Sequence, residues 1–276
     1  MPPNEIRPAG SVSFDNSGRC VAVSGGGAGI GRAIVDAFHG SGARVACLEV
    51  ANRPDDLHDD IFFVQGDVAR EADCRAFIEA AVTEFGGLDV LVNNAAIQPP
   101  ESYVPIDELP TELWSRIVDI NLSGYTFLAK YALARMKHQQ SGVVVNIASG
   151  QGHRTARGVG AYGPIKAANL LQARQWGVEY ARDGIRVVSV SPGAINTDLV
   201  RRSLAAQGGE KEVANRHPLG RIGDPKEVAN AVLWLASPAA SFVTATDLEV
   251  DGGLGAFGAF ADPYSPESMK TANERE

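Results

Sequence analysis

The chain of 276 residues predicts a doubly wound α/β fold, with seven parallel strands in one sheet and helices on both faces, a three-layer αβα arrangement. Three observations predict it. Short valine-rich runs, nearly continuous in hydrophobicity, alternate with longer amphipathic stretches, as in a parallel sheet covered on both sides. The first run passes through a glycine-rich turn into a helical stretch. Finally, the residues able to do chemistry stand just after the runs, and an open sheet binds its ligands beyond the carboxyl ends of its strands.

The first strand is expected over residues 21–23 and the first helix over 30–39, joined by Ser24-Gly25-Gly26-Gly27-Ala28-Gly29-Ile30-Gly31. Glycine permits the tight turn and lets a pyrophosphate approach the backbone. The helix N-terminus adds unpaired amides and a positive dipole end. Ile30 stands where a Gly-x-Gly-x-x-Gly pattern needs its third glycine, so the spacing is Gly25-x-x-x-Gly29-x-Gly31. Glu49 follows the second strand, 45–48. A carboxylate there can accept both hydroxyls of an adenosine ribose and repels a 2′-phosphate, which favours NAD over NADP. Ala28 and Val50 place no cation beside it; Arg53 is the nearest, as a solvated charge or a partner of Asp55 or Asp56.

Strands follow at 61–64, 90–92, 143–147, 187–190 and 248–250, with helices at 71–85, 111–138, 162–182 and 226–237. Ser149 follows the fifth strand, and Tyr162 and Lys166 are four residues apart on the helix after it. That spacing puts phenol and ammonium on one helix face. A positive charge ~5 Å from the phenol, at an effective dielectric of ~20, is worth ~3 kcal/mol, or roughly two pKa units. Tyr162 is therefore expected near pKa ~8, suited to proton transfer with an alcohol or ketone. Pro164 lacks an amide hydrogen and is tolerated only in a first turn, so this helix must begin close to Tyr162.

The motif order resembles a short-chain dehydrogenase/reductase of the single-domain type over nearly the whole chain. It runs from the glycine loop through Asp67-Val68, Asn93-Asn94-Ala95, Asn121, Ser149 and Tyr162 with Lys166 to Pro192-Gly193, Thr197 and Val250-Asp251-Gly252-Gly253. The resemblance implies a Rossmann-like fold and secondary alcohol–ketone interconversion, with Tyr162 as acid or base. Lys166 would lower its pKa and bind the nicotinamide ribose, and Ser149 would hold the substrate oxygen. Asn121 would hold a water linking Lys166 to solvent. For the cofactor it implies Gly25, Gly29, Ile30 and Gly31 at the pyrophosphate, Glu49 at the ribose, and Asp67 and Val68 at the adenine. Asn93 and Ala95 would lie beside the adenosine ribose, and Pro192, Gly193, Ile195 and Thr197 at the nicotinamide carboxamide. Ala96 replaces the family's usual glycine, a one-methyl change beside the groove. Two other readings remain: an NADPH-dependent reductase of acyl-carrier-bound 3-ketones, against which Glu49 and Ala28 speak, and a non-catalytic dinucleotide sensor, against which the retained Ser149, Tyr162, Lys166 and Asn121 speak.

The motifs run without a linker-like break, so one domain over 18–255 is expected, with an extension at 1–17, a substrate loop near 195–220 and a tail at 256–276. A net charge of −8 and a pI near 5.2 argue against nucleic acid or anionic membrane as partner. Cys20, Cys47 and Cys74 lack metal-ligand spacing, no metal site is expected, and the cytoplasm is the default location. Gln98, Pro99, Pro100, Gln151, His153, Arg154, Leu199, Leu204 and His217 stand where the family closes its substrate pocket. Their polarity favours a polyol, sugar or cyclic diol, with His153 itself read as a water-exposed loop residue. The resemblance further implies a homotetramer or homodimer paired through the helices at 111–138 and 162–182. Trp114, Val118, Tyr125, Leu128, Leu133, Leu170, Leu171 and Trp176 supply apolar surface there, and Phe257, Phe260 and Tyr264 of the tail are expected to dock across the boundary.

Overall fold

The computed structural model describes residues 12–204 and 208–258; most of the N-terminal extension, and Phe260 and Tyr264 of the tail, lie outside the described residues. Seven strands, β1 (Cys20–Ser24), β2 (Arg44–Glu49), β3 (Phe62–Gln65), β4 (Val90–Asn93), β5 (Gly142–Ile147), β6 (Ile185–Pro192) and β7 (Asp247–Val250), form one sheet in the order β3-β2-β1-β4-β5-β6-β7. Every neighbouring pair is parallel. The order reverses between β1 and β4, which opens a crevice at their carboxyl ends.

Side chains alternate across each strand and so supply two cores. Val21 and Val23 of β1 face a layer with Ile34, Val35 and Phe38 of α1 (Gly29–Gly40) and Val228 and Val232 of α8 (Pro225–Ala236). Ala22 faces the other layer, with Phe77 and Ile78 of α2 (Glu71–Phe85), Leu128 and Met136 of α4 (Gly124–Gln139) and Ala173 of α5 (Tyr162–Tyr180). Phe38 and Phe77 are wholly buried, and truncating either to alanine should cost about 3–5 kcal/mol. The three cysteines are buried and free, and burial pushes the Cys47 and Cys74 thiols up to about 12. No helix among the described residues is long and apolar enough to cross a membrane.

The helix expected over 111–138 is divided. α3 (Thr111–Val118) passes through a π turn, Asp119–Ser123, into α4. The extra residue of a π turn re-aims what it carries, here Asn121. The helix at Tyr162 begins as Pro164 requires and gives way at Ala181–Asp183 to a 3-10 turn. Within the expected substrate loop lie two short helices that the sequence pattern did not suggest, α6 (Asp198–Leu204) and α7 (Glu210–Asn215). Of the apolar side chains assigned to subunit pairing, Tyr125, Leu128, Leu133 and Leu170 are core residues; Trp114 and Leu171 stay exposed, at 37% and 64%.

Candidate active site

The turn after β1 is locked before any ligand is considered. Gly25 (φ 64°) and Gly29 (φ 56°) adopt left-handed conformations, and a Cβ on Gly25 would stand 2.8 Å from Ala95 Cα. A Cβ on Gly31 would collide with the Gly25 carbonyl and the Asn94 side chain. Asn94 Nδ2 donates to Ser24 O at 3.1 Å and Gly25 O at 2.9 Å, while Ser24 Oγ accepts from the amides of Asn94 and Ala95. The end of β4 thus holds the glycine loop, a role for Ser24 and Asn94 that their neighbours in sequence do not suggest.

A cleft of about 400 Å³ opens over this loop. Gly25, Gly29, Ile30, Gly31, Glu49, Asp67, Val68 and Ala95 line it together with Ser149, Tyr162, Lys166, Pro192, Gly193, Ile195 and Thr197. Fifteen residues from seven segments of the chain therefore meet on one surface. Glu49 Oε2 accepts from the Gly27 amide at 3.1 Å and Oε1 from the Val50 amide at 2.9 Å, fixing the carboxylate at the cleft wall. Arg53 is spent elsewhere: it donates to the carbonyls of Ile61, Leu57 and His58 and stacks on Phe63, and pairs with neither Asp55 nor Asp56. Asp67 has Arg116, a second lining residue, 3.5 Å away. These residues fit a dinucleotide: an open glycine cradle at a helix N-terminus, with a fixed carboxylate about twenty residues on.

Two expected site residues lie behind the cleft wall, both fully buried. Asn93 Nδ2 donates to Asn146 Oδ1 at 2.9 Å, across β4 and β5. Asn121 clamps one residue from both sides, accepting from Ile97 N and donating to Ile97 O, each at 2.8 Å. Its own carbonyl accepts from Asn169 Nδ2 at 3.0 Å. The buried asparagines therefore join β4, β5, the π turn and α5 behind the reacting groups.

Ser149 caps the 3-10 turn Gly150–Gly152, its hydroxyl accepting from Gln151 N at 3.1 Å. The turn packs directly on α5: a Cβ on Gly152 would come within 2.9 Å of the Lys166 carbonyl carbon. Ser149 thereby reaches the Tyr162 phenol with a hydrogen bond. The lowered Tyr162 expected from the pair alone is not found. Burial lifts its phenol well above the ordinary range, the neighbouring Tyr103 raises it further, and only the Ser149 hydrogen bond opposes this. Lys166 Nζ lies 5.6 Å from the Tyr162 ring centre and donates to Ile147 O and to the Tyr125 hydroxyl, while burial draws the ammonium down to about 7. Desolvation of both groups outweighs their mutual effect.

Around the expected substrate side, Leu199 lines the cleft and His217 does not. His217 is buried; its Nε2 accepts from Ala194 N at 3.1 Å, so its Nδ1–H donates to Val213 O at 2.9 Å. It braces the segment that starts at Pro192 and lies outside this cleft, lining a neighbouring cavity with Ala194 and Asp251. His153 is not simply hydrated either: its Nε2 lies 2.8 Å from the buried Asp247 carboxylate. His39, His58 and Asp60 cluster at the far end of α1, away from the cleft.

The profile of the family described as Enoyl-(Acyl carrier protein) reductase matches residues 25–255. The 2,5-dichloro-2,5-cyclohexadiene-1,4-diol dehydrogenase of Sphingobium indicum is 37% identical over 250 residues, covering 87% of this chain and 98% of the relative. The cis-4-hydroxycyclohexanecarboxylate dehydrogenase of Sinomonas cyclohexanicum is 38% identical over 242 residues, covering 85% and 96%. Among solved structures, the aldohexose dehydrogenase of Thermoplasma acidophilum superposes with a TM-score of 0.82 at 35% identity, covering 91% of this chain and 98% of that one.

Proposed function

The chain belongs to the short-chain dehydrogenase/reductase family, oxidoreductases that use a nicotinamide dinucleotide, and from that premise we propose that it interconverts a secondary ring alcohol and its ketone with NAD. The observation that carries this reading is the meeting of Ser149, Tyr162 and Lys166 on the same cleft as the glycine cradle and Glu49. When bound, the dinucleotide supplies the hydride acceptor for alcohol oxidation.

The chain's own residues supply the rest. The loop amides from Gly25 to Gly31 hold the pyrophosphate, and Glu49 accepts from the ribose hydroxyls and repels a 2′-phosphate. Asp67 and Val68 hold the adenine, and Pro192, Gly193, Ile195 and Thr197 the carboxamide. Ser149 holds the substrate oxygen while Tyr162 removes its proton on oxidation or returns one on reduction. Lys166 donates to the ribose and offers a positive charge to the phenolate as it forms. Asn121 acts from behind, through Ile97, which lines the cleft with Leu199 and Val200. That apolar wall suits a carbon ring, as do the substrates in the names of the two curated relatives. Trp114 and Leu171 supply exposed apolar surface for pairing into a dimer or tetramer, which light scattering of the purified protein will measure.

Initial rates of NADH formation against a panel of cyclic diols, polyols, sugars and hydroxysteroids test the reading, with NADP in parallel and Tyr162→Phe as control. Activity with NAD that vanishes in the variant is expected. Tight NADH binding with no turnover of any alcohol would favour a dinucleotide sensor.

A further inference from the structure

His39 stands in the last turn of α1, and His58 and Asp60 stand in the loop between β2 and β3. Among the described residues, no other group of three or more histidine, cysteine, aspartate or glutamate side chains brings its ligand atoms together; here one atom from each lies within 4.8 Å of the other two. Asp60 Oδ2 is 3.9 Å from His39 Nε2 and 3.6 Å from His58 Nδ1, too far for a hydrogen bond to either. The two imidazoles lean together, with ring centres 4.2 Å apart and planes tilted by 41°. Two nitrogens and a carboxylate oxygen thus face one another without a bond among the three.

Both segments that carry them are anchored. Leu57 and Ile61, flanking His58 and Asp60, are buried in the same core as Phe38 of α1. Arg53 holds the loop backbone by donating to the carbonyls of Leu57, His58 and Ile61. Asp60 N donates to His58 Nδ1 at 3.2 Å, so that nitrogen carries a lone pair and no proton, the form in which imidazole ligates a metal. An ion would take this lone pair in place of a long bond, and the amide of the exposed Asp60 would turn to water. Ligands about 2.0–2.1 Å from a tetrahedral ion stand about 3.3 Å apart, and small rotations of partly exposed side chains bring the three to that spacing.

We propose that His39, His58 and Asp60 bind one divalent first-row transition-metal ion, zinc being the type case, and that the ion staples the last turn of α1 to the loop between β2 and β3. Two imidazoles and one carboxylate suit such an ion, with water completing the shell, whereas magnesium and calcium take oxygen ligands. The cysteine spacings gave no sign of it, because the donors are histidines and an aspartate on two different elements. The site does not depend on the dehydrogenase reading.

The test is equilibrium dialysis of tag-free, full-length protein against zinc chloride alone, with magnesium chloride in parallel. The proteins are the parent, His39→Ala, His58→Ala and Asp60→Asn, each checked by circular dichroism. The parent should retain about one zinc per chain and no magnesium, and each variant should bind zinc about tenfold or more weakly. Zinc should raise the melting temperature of the parent by several degrees and that of the variants far less. Saturating NADH should leave zinc uptake unchanged, because the cluster lies away from the cleft. No retained zinc, uptake that any of the three variants leaves untouched, or uptake that NADH displaces would overturn the site. Uptake lost in the variants but with no melting shift in the parent would overturn the staple, since the ion would then hold the unfolded chain as tightly as the folded one.

Discussion

Lys166 and Tyr125 share one carbonyl. Lys166 Nζ donates to Ile147 O at 2.7 Å and the Tyr125 hydroxyl donates to the same oxygen at 2.9 Å, with 3.2 Å between ammonium and phenol oxygen. Tyr125 has used its proton, so its oxygen accepts from Lys166. The ammonium is oriented by two acceptors on β5 and α4, and Tyr162 is neither of them. Both side chains are almost wholly buried, Lys166 at 1% exposure, and burial draws Lys166 down to about 7.

Replacing Lys166 by methionine should therefore stabilise the protein while abolishing turnover. An ordinary lysine holds its proton to about 10.5, so between pH 7 and 10.5 the unfolded chain binds more protons than the folded one. Stability of the parent must then rise with pH across that window. Lys166→Met removes the cost of the buried charge and should gain about 2–4 kcal/mol at pH 6.5, a gap that narrows by pH 10. Urea denaturation of both proteins at several pH values measures it. A gap independent of pH would mean that the folded lysine titrates normally.

Tyr162 should stay protonated in the free protein through the pH range where the pair alone would ionise it. Burial and Tyr103 both hold the neutral phenol. The difference in phenolate absorbance between the parent and Tyr162→Phe should thus be flat up to about pH 10, the ordinary phenol value. A step near pH 8 would show that Lys166 governs the phenol without a ligand. With a flat trace, any basic limb below pH 9 in kcat belongs to the loaded enzyme.

What the sequence revealed and what it hid divide along a physical line. The strands, the glycine loop, and the joint position of Ser149, Tyr162 and Lys166 were legible because each depends on local pattern: apolar runs, left-handed glycines, a four-residue helical spacing. Tyr125 was not, since an aromatic residue on a helix reads equally as core or interface, and only the packing of α4 against β5 brings it to Lys166. Asn94 and Asn169 were hidden likewise, because their side chains donate to carbonyls 48 or more residues away, Asn94 to Ser24 and Gly25 and Asn169 to Asn121, with Gln172 on Asn169's own helix the one local partner. The π turn was hidden too: the helical period continues through it, and the side chain that accompanies it makes its bonds to Ile97 on another segment. The expected pKa of Tyr162 failed for the same reason, as burial is a property of the fold and outweighed the local pair.

Glu49→Ala should lower the preference for NAD over NADP by about tenfold to a hundredfold, through loss of the ribose partner and of the charge that opposes a 2′-phosphate. It should not create a good NADP enzyme, because Arg53 is held by three backbone carbonyls and Phe63. The Gly27 and Val50 amides also lose their acceptor, which should cost about 1 kcal/mol of stability. Steady-state kinetics with both dinucleotides, beside a melting curve, separates the two effects.

Asn121→Ala tests whether this residue acts on the substrate side by positioning. The wild-type side chain satisfies both backbone groups of Ile97, whose side chain lines the cleft, while the backbone carbonyl of Asn121, which alanine keeps, ties the π turn to Asn169. Alanine leaves a buried amide and carbonyl without those partners, at a cost of about 2–4 kcal/mol, and releases the loop that carries Ile97 toward the substrate. The expected signature is a melting temperature several degrees lower, a KM for alcohol raised by about tenfold, and an NADH affinity changed far less, because the glycine loop is held separately by Ser24 and Asn94. A residue serving only to relay protons would give the opposite split: kcat and its pH profile would change while KM and melting temperature stayed put. Finding that split would move Asn121 from the frame of the site into its proton path.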